Sequence, residues 1–341
     1  MRALVVREFG GPLILEEVPV PEPGPQEVLL RVRACAVDQF DLTIRDGKFP
    51  MANKVPIILG HEIAGVVEAT GAEVRSVAVG DRVICTLYLT CGKCRYCLTG
   101  RETICADFKG YLGIHTPGAY AEFTTVPEAN LVKLPEPISF ADGSLIANAI
   151  GTPYHALTKR ARLQAGERVV ITGAGGGVGV HAVQLARMMG AFVMGVDIGE
   201  EKLALVRDFG ADRVFDASSG DFSPAVREWT GGEGADVVLE LVGTKTFDSS
   251  VKSLARGGRM VIVGSHTGTS LAVSPQAMIA NEWEILGSRN VTKRELVEVV
   301  SLVASGRIKP VVTGVYPLEE AENLHERLRR QEIIGRVVLE P

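Results

Sequence analysis

Four cysteines crowd into the run CGKCRYCLTGRETIC, at positions 91, 94, 97 and 105. Their spacing, C-x2-C-x2-C-x7-C, puts four thiols on one loop. Tetrahedral zinc takes soft ligands of this kind at about 2.3 Å. Four thiolates close the coordination shell and leave no position for water or substrate. A zinc held by Cys91, Cys94, Cys97 and Cys105 is therefore structural rather than catalytic. Disulfide pairing and iron–sulfur ligation draw on the same residue type and are the competing readings. The other two cysteines, Cys35 and Cys85, sit in apolar strand-like contexts and read as core residues.

A second segment, ITGAGGGVGVHAVQLA, follows a strand-like run and opens a helix-like one. That is the context in which a glycine loop binds a dinucleotide. The backbone turns tightly, approaches the pyrophosphate closely and sets its charge at a helix N-terminus. The strict GxGxxG spacing is absent. The match is AxGxxG on Ala174, Gly176 and Gly179, with Gly177 and Val178 between. Asp197 ends the next strand-like run, where a carboxylate accepts from ribose hydroxyls and repels a 2′-phosphate. This favours NAD(H) over NADP(H). The bland alternatives are a structural turn at the glycines and a simple helix cap at Asp197.

Composition narrows the remaining possibilities. The chain has 341 residues, 46% of them hydrophobic, which suits two folded domains rather than disorder. A formal net charge of −5 offers no basic footprint for nucleic acid. No apolar run approaches the roughly 20 residues of a membrane-spanning helix. The opening MRALVVREFG lacks the apolar core of a signal peptide. These features point to a cytoplasmic protein with a small-molecule substrate and neither nucleic acid nor membrane as partner.

The elements that must position these groups fall into two styles. Residues 1–140 read as mostly β, with strands near 3–6, 28–34, 63–69, 82–86 and 120–126 between Pro- and Gly-rich turns. From about residue 150 strands and helices alternate. Strands are expected at 168–172, 191–197, 213–216, 236–242, 259–264 and 283–288, with helices over 178–189, 200–209, 222–229 and 247–254. Six apolar strands with intervening helices predict a doubly wound parallel sheet, so the fold class is α/β. A helix over 293–304 and a strand-like GRVVLEP close the chain.

The chain resembles the medium-chain dehydrogenase/reductase superfamily, which includes zinc alcohol dehydrogenases and quinone or enoyl reductases. The resemblance rests on ACAVDQFDLTIRDG (34–47), the GHE of 60–62, the four-cysteine lobe and the GGVG of the glycine loop. It implies a GroES-like β-barrel catalytic domain (1–148 and 289–341) and a Rossmann domain (149–288). It further implies an active site in the cleft between them, and a homodimer or homotetramer. Lys202, five residues after Asp197, matches a position used at the adenosine ribose. Arg336 matches one that approaches the pyrophosphate, and Thr152 one that borders the nicotinamide. Gly264 completes the implied cofactor set.

The catalytic pattern departs from that of zinc alcohol dehydrogenases. Where those carry a cysteine ligand, a polar residue, a Ser/Thr and an Asp, this chain reads Asp38, Gln39, Phe40 and Asp41. The second ligand position is kept as His61, and the third falls on Asn148. An amide is a poor zinc ligand, and a phenyl ring cannot pass a proton. Asp38, His61 and Glu62 still form an admissible zinc set. The resemblance thus leaves open a zinc-dependent alcohol, polyol or hydroxyacyl dehydrogenase. The favoured expectation is a cleft without catalytic zinc that reduces an α,β-unsaturated carbonyl compound, an enone, quinone or enoyl thioester. There a developing enolate needs donors more than a Lewis acid. The AxGxxG loop and the TxYxAL pattern at 152–157 point the same way. His61, Asp38 and Tyr154 are the candidate proton donors. A non-catalytic cofactor-binding sensor or structural protein is the third class. His115, His155, His181, His266 and His325 carry no motif, and HERLRR (325–330) reads as a solvated helix face.

Overall fold

The computed structural model describes residues 1–52, 54–264, 270 and 272–341. His266 lies outside the described residues. The chain divides into two compact units: Met1–Asn148 with Val291–Gly306 and Pro310–Pro341, and Ala149–Asn290 with Arg307–Lys309. The short return to the second unit is held by Gln184, whose Nε2 donates to the Lys309 carbonyl and whose Oε1 accepts from the Lys309 N–H, both at 2.9 Å.

The first unit is mainly antiparallel β. Its largest sheet runs in the order Leu131–Lys133, Arg82–Cys85, Glu62–Thr70, Glu27–Val37, Arg336–Glu340, Val312–Pro317, with Phe123–Pro127 also paired to Glu27–Val37. The central strand, Glu27–Val37, shows how sequence sets the layers. Leu30 and Val32 are buried while Arg31 and Arg33 are exposed, the period of two that a half-buried strand requires. From Ala34 to Val37 every residue is buried, so both faces of that end are covered. The registers align Ala36 with Glu62 and Val37 with Val337. One step further, these registers carry Asp38, His61 and Arg336 to the same end of three adjacent strands.

The second unit is a six-stranded parallel sheet: Arg168–Thr172, Phe192–Asp197, Arg213–Asp216, Ala235–Glu240, Leu254–Ile262 and Glu284–Gly287. Numbered in chain order, the sheet runs third, second, first, fourth, fifth, sixth. This is the doubly wound Rossmann order, with its reversal between the first and fourth strands. Its core includes Val170, Met194, Val196, Val238 and Met260 from the sheet and Phe222 and Phe247 at the starts of helices. The first and fourth strands, RVVIT and ADVVLE, are near-continuous buried runs, as strands at the middle of a parallel sheet require. Among the described residues, no helix is long and apolar enough to cross a membrane.

Candidate active site and metal centre

The lobe at 91–105 is built by two short helical turns, Arg95–Leu98 and Glu102–Ile104. The four sulfurs converge. Cys94 Sγ lies 3.5 Å from Cys97 Sγ and 3.9 Å from Cys105 Sγ, and Cys105 Sγ lies 3.5 Å from Cys91 Sγ. Four sulfurs about 2.3 Å from a shared tetrahedral zinc stand about 3.8 Å apart, so the set fits that ion. None of the six cysteines is in a disulfide. Backbone N–H groups already face the sulfurs, Cys91 N toward Cys105 and Cys94 N toward Cys91, each at 3.4 Å. Backbone N–H groups hold the Cys91 thiol below its ordinary range and bring Cys94 down to about 6, while burial pushes Cys97 up to about 12. Cys35 and Cys85 are fully buried in the core, and burial raises both thiols, Cys85 to about 12.

The second cluster is assembled from four separated segments. Asp38 caps the helix Gln39–Arg45: its Oδ1 accepts from Phe40 N at 2.8 Å and Asp41 N at 3.0 Å. Asp41 Oδ2 answers by accepting from Asp38 N, which closes a capping box. His61 follows Gly60, whose φ is +94°; a Cβ there would also meet Tyr120 at 2.5 Å and the Cys35 sulfur at 2.8 Å. Asn148 lies in a π-helical stretch, Ile146–Ile150, and Arg336 begins the last strand.

These residues form one buried polar knot. His61 Nδ1 lies 3.1 Å from Asp41 Oδ1, and His61 Nε2 lies 3.5 Å from Asp38 Oδ2. Arg336 Nη2 donates to Glu62 Oε1 at 2.7 Å and stands 3.7 Å from Asp38 Oδ2. Asn148 Nδ2 donates to Glu62 Oε1 at 2.7 Å and to Asp38 Oδ2 at 3.2 Å, and lies 3.3 Å from His61 Nε2. Burial works against the charge on His61, but Asp38 and Asp41 outweigh it and hold the imidazolium well above its ordinary range. Burial likewise opposes the Asp38 charge, yet His61 and then Arg336 hold that carboxyl below the usual carboxylate range. Glu62 goes the other way: burial, against the pull of Arg336, pushes it up to about 7. Among the described residues, Glu62 Oε2 and Arg336 Nε have no hydrogen-bond partner.

One donor atom each from Asp38, His61 and Glu62 lie within 4.8 Å of one another, a span a cation can bridge. The donor types suit zinc. The arrangement does not, because the Asn148 amide N–H group lies between the two carboxylates and occupies acceptor atoms that a cation would take. Seating a metal requires that amide to turn away. Beside the knot is an aromatic wall. The Phe40 ring meets His61 edge-on at 5.4 Å, Phe49 at 4.9 Å and Tyr111 at 6.3 Å between centroids.

In the second unit the glycine loop crosses the carboxyl end of the first strand. Gly179 has no room for a side chain: a Cβ would meet the Gly173 carbonyl oxygen at 2.1 Å and Ala174 Cα at 2.6 Å. The helix Gly179–Met188 has no side-chain N-cap at Val178, and Val180 N donates to the Gly176 carbonyl of the loop at 3.0 Å. Ala174 and Gly177 are buried and Gly176 half-buried. Asp197 Oδ2 accepts from Gly175 N and Oδ1 from Ile198 N, both at 2.7 Å, with Lys202 Nζ 3.9 Å from Oδ1. Gly264 follows the fifth strand, and a Cβ there would strike the Leu241 carbonyl oxygen at 2.0 Å. Thr152 is buried and Tyr154 half-buried on the helix Gly151–His155 of this unit.

Some sequence expectations end in a different place. The HERLRR segment is only partly a solvated face, because His325 is fully buried. His181 is also buried, with Nδ1 2.6 Å from the Gly177 carbonyl oxygen. Several positioning residues escape sequence reasoning. Asp41 is readable from the D-x-x-D capping pattern at 38–41. Glu240 is not: it lies where the strand order reverses, and its Oε1 accepts from Thr172 Oγ1, Thr246 Oγ1 and the N–H groups of Val242 and Gly243 at 2.7–2.9 Å.

Comparison with known proteins agrees with both units. Residues 24–136 match the family model for an alcohol dehydrogenase GroES-like domain, and residues 177–305 that for a zinc-binding dehydrogenase. An alcohol dehydrogenase of Geobacillus stearothermophilus is 39% identical over 340 residues, 99% of each chain. An acryloyl-coenzyme A reductase of Metallosphaera sedula is 38% identical over 340 residues, again 99% of each chain. The crystal structure of AibC superposes with a TM-score of 0.93 at 40% identity, covering 100% of this chain and 96% of that one. The chain therefore belongs to the medium-chain dehydrogenase/reductase superfamily, in its zinc-type alcohol dehydrogenase-like part. It is an NAD(P)-dependent oxidoreductase with a GroES-like unit and a Rossmann sheet.

Proposed function

We propose that this oxidoreductase reduces the C=C bond of an α,β-unsaturated carbonyl compound, an enone, quinone or enoyl thioester, and does so without a catalytic metal. The observation that carries this reading is the Asn148 amide, which donates to Asp38 and Glu62 at 3.2 and 2.7 Å in the place where a ligand set would close on a cation. The resemblance to an acryloyl-coenzyme A reductase supports it.

The nicotinamide, when bound, supplies hydride to the β-carbon. Negative charge then develops on the carbonyl oxygen, and the residues must stabilise it and deliver one proton. His61 is suited to both tasks. Asp38 and Asp41 keep it cationic, and Asp41 fixes its Nδ1–H, which leaves the Nε2–H as the mobile proton. Asn148 and Arg336 hold the carboxylates in place. Phe40, Phe49 and Tyr111 keep water from the apolar side. Loss of the Nε2 proton to the enolate gives the saturated carbonyl and neutral imidazole, which solvent then reprotonates. The Asp197 carboxylate at the end of the second Rossmann strand gives NADH preference over NADPH.

The test is a substrate panel compared by kcat/KM. This reading expects enones or enoyl thioesters with NADH to exceed every primary and secondary alcohol with NAD+. An alcohol or hydroxyacyl substrate at the top of the panel sinks it. That outcome belongs to the second reading, a zinc-dependent alcohol, polyol or hydroxyacyl dehydrogenase. Its favouring observations are the 4.8 Å span of Asp38, His61 and Glu62 and the unpartnered Glu62 Oε2. Cofactor binding with no turnover on any substrate supports a non-catalytic role instead.

A further inference from the structure

The His61 knot continues into the interior of the first unit along a path the reaction does not use. Tyr120 Oη lies 2.9 Å from Asp41 Oδ2 and 3.2 Å from His325 Nε2. His325 Nδ1 lies 3.3 Å from Arg45 Nη1. Arg45 is anchored by its Nε to the Gly11 carbonyl at 2.8 Å and by its Nη2 to Glu322 at 2.6 Å. Arg45, His325, Tyr120, Asp41 and His61 are all buried; only Glu322 reaches solvent. The path joins the helix Ala321–Arg329 to the helix Gln39–Arg45 and to His61.

Donor chemistry fixes every proton on this path. Arg45 can only donate, so His325 Nδ1 must accept. A neutral His325 then carries its proton on Nε2 and donates it to Tyr120 Oη. The Tyr120 hydroxyl, with its acceptor side taken, donates to Asp41. Asp41 Oδ2 accepts from Asp38 N and from Tyr120, and Oδ1 faces His61 Nδ1 at 3.1 Å, so the hydrogen between them is placed on Nδ1. Burial favours the neutral imidazole this ordering needs at His325. The hydrogen bonds therefore run from Arg45 as far as Asp41, where the bond donated by His61 Nδ1–H meets them from the other side.

We propose that Arg45, His325 and Tyr120 are positioning residues for His61, a proton-ordered strut that holds Asp41 in place to take the Nδ1–H and so leaves Nε2 on the side of Asp38 and Asn148. The assignment of Nε2 as the proton donor rests on the function proposed above; the ordering of the strut does not.

The experiment uses the full chain labelled with 15N-histidine and compares the native protein with Tyr120→Phe, His325→Gln and His325→Leu. In the native protein, the 15N spectrum should show His61 with Nδ1 protonated across the range in which Nε2 titrates. Tyr120→Phe removes one hydroxyl and keeps the ring. It should lower kcat by about 10-fold or more with KM little changed, because a neutral imidazole is a far weaker acid at Nε2 than the imidazolium. It should also add a population of neutral His61 with Nε2 protonated. His325→Leu should do the same. His325→Gln should restore both readings toward native, since its carbonyl accepts from Arg45 and its amide donates to Tyr120. A folded Tyr120→Phe protein with native His61 spectra and native kcat overturns the proposal. If His61 spectra change as expected but no unsaturated carbonyl is a substrate of any variant or the native protein, the strut stands and the function proposed above falls.

Discussion

The two metal-competent clusters of this chain are made in opposite ways. The cysteine lobe takes its four ligands from one stretch of fifteen residues, three of them half-exposed and Cys105 buried, with local turns and backbone N–H groups aimed at sulfur. The His61 cluster takes its members from the ends of three strands and a π-helical turn, and all but Asn148 are buried. In the lobe, the sulfurs converge at 3.5–3.9 Å, a spacing that suits an ion between them. In the knot, Arg336 and the imidazolium of His61 supply positive charge from the chain itself. A buried carboxylate is tolerable only when paired and hydrogen-bonded, and the knot meets that need with protein groups. On the function proposed above, similar donor residues serve a structural zinc in one place and metal-free acid chemistry in the other.

Breaking one member of each cluster should separate the roles. Cys94→Ser removes a thiolate from the lobe. Zinc content measured by elemental analysis should fall from one per chain toward none, and the thermal midpoint should drop by about 10 °C or more. The remaining folded fraction should keep its specific activity; a dead but fully folded and zinc-loaded variant contradicts the lobe's structural role. His61→Gln should do the reverse. It should lower kcat by about 100-fold or more while zinc stays at one per chain. Loss of zinc in that variant would place a metal in the knot.

Smaller effects sharpen the contrast. His325 is held down to about 4 by burial, with Asp41, Arg45, Glu322 and Arg329 as its charged neighbours. A histidine whose folded value lies below its unfolded value near 6.5 contributes stability above that pH and loses it as pH falls toward 4. The group therefore accounts for about 3 kcal/mol of acid destabilisation over this window. His325→Leu should flatten the fall in unfolding free energy between pH 6.5 and 4 by that order; parallel curves for the two proteins contradict it. Asp197→Ser should raise kcat/KM for NADPH relative to NADH by about 10-fold, or about 1.4 kcal/mol. Unchanged discrimination would mean that another residue selects the cofactor.

Much of the fold is legible in the sequence because its signals are local. Apolar strand runs, the glycine loop before a helix and the cysteine spacing each lie within a few residues, and each maps onto an element of the structure. The π-helical turn at Asn148 and the capping helix after Asp38 have weaker signals and do not emerge from periodicity. The knot is hardest to read. Arg336 meets Glu62 only because the sheet register aligns Val337 with Val37 and Ala36 with Glu62. His325 in HERLRR lies on a helix that has a polar surface as well as a buried side, and charge patterning alone favours the surface. Nothing near Tyr120 or His325 in the chain announces that the two meet Asp41.

The most direct test of metal-free chemistry is to count zinc and follow turnover in the same sample. After dialysis against a chelator too weak to strip thiolates, the chain should retain one zinc, lost only on chemical attack at the cysteines, with unchanged kcat for its best unsaturated substrate. Two zincs per chain, with activity lost when the more labile one leaves and regained when it returns, would contradict the account.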